Sequence, residues 1–90
     1  MENIVISVNG KDSMGIIAAI CTYFSENGIN VVEISQNISG TYFSMMMIVD
    51  IENMTLPYDD MIEGLAKVGE RVGVSITCQN EEIFSAQYRG

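Results

Sequence analysis

"NIVISVNGKDSMGIIAAI", residues 3–20, changes its apolar period in mid-course, and that change decides the fold. Over residues 3–9, Ile4, Ile6 and Val8 alternate with Asn3, Ser7 and Asn9, the period of a half-buried strand. After the turn residues Asn9, Gly10, Lys11, Asp12 and Ser13 the pattern becomes helical. Ile17, Ile20, Cys21 and Phe24 share one face at three- and four-residue spacing, so a helix is expected over about 13–27. Asp12 or Ser13 is placed to cap its start, and Gly28 to take the left-handed position that ends it. On this reading Gly15 falls in the first helical turn, where glycine costs about 0.8–1.0 kcal/mol relative to alanine. The expected reason is close approach of another group to the backbone.

Working outward, "INVVEISQNI" (29–38) is β-branched and reads as a second strand, and "TYFSMMMIVDI" (41–51) as a third. Ser39-Gly40 between them suits a tight hairpin. "LPYDDMIEGLAKVGERVG" (56–73) returns to helical period, with Met61, Leu65, Val68 and Val72 inward. Pro57, Asp59 and Asp60 suit its first turn and Arg71 its last. "VSITCQ" (74–79) is a fourth strand, and "NEEIFSAQYR" (80–89) reads as a short C-terminal helix capped by Asn80. The order β-α-β-β-α-β predicts an α+β, ferredoxin-like fold: a four-stranded antiparallel sheet with two helices on one face, plus the terminal helix.

Strand three is apolar on both faces, with Phe43, Met45, Met47, Val49 and Ile51 on one and Tyr42, Met46 and Ile48 on the other. One face packs on the helices, and the other needs a cover. A second subunit and the terminal helix, through Ile83, Phe84 and Tyr88, are both expected to supply it.

Ninety residues make one domain, 1–90, small enough that pairing with a second copy is a natural source of stability. No apolar run approaches the roughly 20 residues of a membrane span, and no basic leader is present, so the expected compartment is the cytoplasm. Twelve acids against four bases give a net charge of −8, which repels phosphate backbones and argues against nucleic acid as a partner. The chain has no histidine, the commonest general base and metal ligand. Cys21 and Cys78 form no CxxC pair, and each falls in an apolar pattern that reads as a buried reduced thiol. The methionines at 45–47 alternate across a strand and cannot converge on a metal. Asp59, Asp60 and Glu63 complement a helix dipole rather than hold a cation. No enzyme activity, cofactor or metal is expected.

The first loop is the feature with a chemical reading. A helix N-terminus offers unpaired N–H groups and partial positive charge to a carboxylate, while Asp12 could take an ammonium group and Lys11 reinforce the anion site. The bland alternative is a set of turn and capping residues around a glycine kept for packing.

"GKDSMGIIAAI" (10–20) followed by "NGINVVEISQNI" (27–38) resembles the ACT domain, whose hallmark is G-x-D-x-x-G-ψ after strand one and G-x-N-ψ at strand two. The likeness spans the chain. "EISQ", the YF after the hairpin and "EEIFSAQYR" resemble the small stand-alone bacterial and archaeal ACT proteins. Met14 departs from the proline of many ACT domains. The resemblance implies a non-catalytic regulatory module that binds an amino acid or similar small molecule between paired subunits and signals to a separate client protein. It places the ligand against residues 9–15 (Asn9, Gly10, Lys11, Asp12, Ser13, Met14 and Gly15) and Asn30, with Gly15 letting the ligand approach and Asn30 offering an amide. The competing expectation is a dimeric protein-interaction module with no ligand.

Overall fold

The computed structural model describes residues 3–11 and 15–80. Its elements run β1 (Asn3–Lys11), α1 (Ile16–Glu26), β2 (Asn30–Ser39), β3 (Tyr42–Asp50), α2 (Tyr58–Val72) and β4 (Val74–Asn80). One antiparallel sheet has the order β2-β3-β1-β4, so β1 and β3 are central and β2 and β4 are edges. This is the ferredoxin-like arrangement expected from the element order. The terminal helix expected over 80–89 lies outside the described residues, save for its first residue, Asn80, which ends β4.

Alternation in the central strands sends Ile4, Ile6 and Val8 of β1 and Phe43, Met45, Met47 and Val49 of β3 to one side. There they meet Ile16, Ile20 and Phe24 of α1 and Met61, Leu65 and Val68 of α2 in a single core, with Ile29 and Ile51 at its margin. Val74, Ile76 and Cys78 of β4 pack against the same cluster. Burying a side chain such as Leu65 or Ile20 stabilises the fold by about 1.5–3 kcal/mol.

The helix α1 departs from the sequence reading in two ways. It starts at Ile16, not near 13, and Gly15 is its N-cap at φ +85°, so neither Asp12 nor Ser13 occupies the capping position. The left-handed backbone of Gly15 sets the start of the helix at the next residue. Its buried ridge is Ile16, Ile20 and Phe24, while Ile17 is 37% exposed and Cys21 half-buried. The neighbouring isoleucines 16 and 17 satisfy helical periodicity equally well, and only docking on the sheet chooses between them. Cys78 is also half-buried, so neither thiol is enclosed as expected.

At its other end α1 stops as its sequence requires. Gly28 is left-handed at φ +70°, and the Ile29 N–H donates to the Phe24 carbonyl at 3.0 Å. The hairpin turn falls on Gly40 and Thr41, one residue later than expected, because Ser39 still pairs with Tyr42. The helix α2 has the expected acidic first turn and Arg71 in its last, with Pro57 as N-cap. Met61, Leu65 and Val68 are buried and Val72 packs on the core as expected.

Candidate functional site

The helices enclose the core residues of β1 and β3 with β4 at its margin, whereas α1 touches β2 without enclosing it. Every residue of β2 except Val31 is exposed along its ten-residue length. Its polar residues Glu33, Ser35 and Asn37 pair beside Ile48, Met46 and Ser44, on the face away from the helices. Its helix-side row is Ile34, Gln36 and Ile38, beside Met47, Met45 and Phe43. Ile34 and Ile38, at 43% and 53% exposure, therefore lie on the helix side without being enclosed by the helices.

The start of α1 completes a groove over this row. Gly15, Ile16, Ile17 and Ala18 form one wall and Gln36, Ile38 and Phe43 the other, around a cavity of about 260 Å³. The first intrahelical bond runs from the Ala19 N–H to the Gly15 carbonyl at 2.9 Å, so the N–H groups of residues 16–18 precede the helical ladder at the groove. No side chain caps the helix at Gly15. A Cβ at residue 15 would meet nothing within 4 Å, so the glycine faces open space and its positive φ is the first reason for its identity. Donors at one end and Ile17, Ile38 and Phe43 along the sides suit a small molecule with a carboxylate and an apolar portion.

The residues expected to form the site are only partly brought together. Gly15 lines the groove. Asp12, Ser13 and Met14 lie outside the described residues. Lys11 is exposed at the end of β1, beside Tyr42. Asn9 belongs to the opposite sheet face, where its Oδ1 accepts a hydrogen bond from the Ser44 hydroxyl at 3.1 Å. Gly10 serves packing: a Cβ there would come within 3.0 Å of the Gly73 carbonyl oxygen and of Val74. Asn30 pairs with Asp50, and Asp50 with Asn3, at the far end of the sheet from Lys11. Eight strand steps of roughly 3.3 Å put it about 26 Å from the loop end within one chain.

Ile17, Ala18, Gln36, Ile38 and Phe43 were not anticipated as site residues. The available signal was the apolar alternation Ile34, Gln36, Ile38 in a strand that the predicted topology places at an edge.

The remaining chemistry is quiet. Burial pushes the Cys78 thiol up to about 11. Burial first, then Asp60 and Cys78, raises the Tyr23 phenol above its ordinary value. Both groups are held in their protonated forms at neutral pH. Among the described residues no group of Cys, Asp and Glu could hold a metal ion, and no helix is long and apolar enough to cross a membrane.

Comparison with known proteins agrees with this architecture. The ACT domain family model matches residues 4–70. A UPF0237 protein of Bifidobacterium longum is 46% identical over 89 residues, covering 99% of each chain. An ACT domain protein from Streptococcus pneumoniae superposes with a TM-score of 0.79 at 30% identity, covering 92% of this chain and 93% of that one. The ligand-free regulatory subunit of aspartate kinase from Thermus thermophilus shares the fold, with a TM-score of 0.66 at 24% identity over 87% of this chain and half of its own. The chain belongs to the ACT domain family, and within it to the UPF0237 proteins.

Proposed function

We propose that this chain, as one ACT domain over residues 1–90, is a non-catalytic regulatory module that binds an amino acid in the groove between α1 and β2. ACT domains are in general regulatory modules that bind small molecules. The observation that carries the reading is the groove itself, with backbone N–H groups at one end, apolar walls and an open side along an unpaired edge strand. The carboxylate is held by the N–H groups of residues 16–18, and the side chain lies against Ile17 and Ile38.

A second copy completes the site. Residue 30 and the groove stand at opposite ends of β2, so no single chain can use both. Antiparallel pairing of two β2 strands about a twofold axis near Ile34 and Ser35 sets the partner's Asn30 beside Ser39, at the mouth of the groove. The same pairing removes the exposed edge and covers Ile34 and Ile38. The partner's Asn30 then offers its amide to the polar end of the ligand, and occupancy is coupled to how the two copies sit together. That coupling is the signal a separate client protein reads in the cytoplasm.

Thermal denaturation of the full chain with each of the twenty common amino acids tests the reading. One or a few should raise Tm in a concentration-dependent way. No shift with any of them at millimolar concentration would reject an amino acid as the ligand.

A further inference from the structure

The walls of the groove between α1 and β2 are apolar with a single exception. Among the residues that line it, Gln36 alone brings a polar side chain. Its place in the strand makes that choice notable. The polar residues Glu33, Ser35 and Asn37 occupy the outer face of β2, whereas Gln36 stands in the helix-side row between Ile34 and Ile38, beside the buried Met45. Period-two alternation would continue the row with a third apolar side chain. Gln36 is exposed, so its amide presents both N–H donors and a carbonyl acceptor to whatever enters the groove.

The strand register fixes where that amide stands. Ile38 pairs with Phe43 and Gln36 with Met45, so Gln36 lies one strand repeat, about 7 Å, further from the loop end of the sheet than Ile38. A ligand held by its carboxylate at the N–H groups of residues 16–18 therefore sends its side chain past Ile38 toward Gln36. That offset suits a polar group set out from the ligand's Cα. Apolar walls sort side chains by size and discriminate weakly between isosteres, whereas a hydrogen-bonding group separates polar from apolar ones. The one charged residue of β2, Glu33, faces away from the helices, and among the described residues no charged side chain lines the groove. A charge on the ligand's side chain would stand between apolar walls without a counter-charge.

On the reading of the groove as an amino-acid site, on which this depends, we propose that Gln36 is its specificity-determining residue and that the ligand is an amino acid with a carboxamide side chain. Two primary amides are complementary, each giving an N–H to the other's carbonyl, so the ligand's side chain and Gln36 satisfy one another while the rest of the groove packs the intervening methylenes.

Titration calorimetry of the full chain with two pairs of similar-sized amino acids tests this: glutamine against methionine, and asparagine against leucine. The parent should bind at least one carboxamide more tightly than its apolar counterpart, by roughly three- to tenfold. Gln36→Met, which keeps the length of the side chain and removes its hydrogen bonds, should erase or invert that ratio. Its Tm without ligand should match the parent's, because the side chain is exposed. A parent that prefers methionine or leucine, or a variant that keeps the parent's preference, would overturn the role of Gln36 and leave the groove as an amino-acid site. So would a parent that binds none of the four yet is stabilised by another of the twenty amino acids. A chain stabilised by none of the twenty would remove the amino-acid site itself, and the role of Gln36 with it.

Discussion

At Gly15 the backbone has φ +85° while the space around a Cβ is empty, so an alanine there is strained by angle and not by contact. The left-handed conformation costs an L-residue roughly 1–2 kcal/mol, partly offset in other settings by what alanine gains in the unfolded chain. Gly15→Ala should therefore lower stability by about 1 kcal/mol, seen as a Tm drop of about 4–8 °C for a domain of this size. Gly15→Asn, which tolerates the same angle, should lose less. An alanine variant as stable as the parent would show that the turn relaxes. Cys78 gives a second residue-scale test through pH. Its thiol is held at about 11 against an ordinary 9.0. Below pH 9 both folded and unfolded forms are protonated and stability is unaffected. Between about 9 and 11 the unfolded chain gives up the proton first, so stability falls as pH rises. Thermal melts across that window should fall less steeply in Cys78→Ala than in the parent.

Elements were more legible than the side chains they display. Period-two and period-3.6 patterns, with Gly28 and Gly73 as stops, placed all four strands and both helices of the described chain. They did not place the register of α1. Ile16 is 2% exposed and Ile17 more than a third exposed, though both fit a helical stripe. Ile16→Ala should cost about 2–5 kcal/mol in urea denaturation, as buried large-to-small changes do. Ile17→Ala should stay under about 1 kcal/mol, and a reversed order would mean that the helix is rotated. The groove was illegible for a related reason. A motif in one loop points to that loop, whereas the opposite wall comes from Gln36 and Ile38, twenty residues further on, and is set by the edge position of β2. Asn30 was legible as a polar residue at a strand start, but only strand direction puts it at the opposite end of β2 from the groove, so that the proposed site draws it from a second chain. Because β2 is the proposed contact, Ile34→Lys should convert a dimer into a monomer in light scattering, with Tm lowered and no longer dependent on protein concentration, while the monomer stays folded because the side chain is exposed within one chain. A variant that remains dimeric would move the interface elsewhere.

For the whole molecule, the proposed site joins the groove of one chain to the Asn30 of another, and mixing two defective variants measures that exchange. Ala18→Trp fills the groove from an exposed position, and Asn30→Ala removes the amide from the far end of β2. Each variant alone should fail to bind the amino acid identified by thermal screening, while light scattering shows both as dimers. Mixed in equal amounts and allowed to exchange, half the dimers are mixed and each holds one intact site. Titration calorimetry of the mixture should then recover about a quarter of the parent's binding capacity. A mixture that binds no more than its two components measured separately would contradict a site shared between two copies.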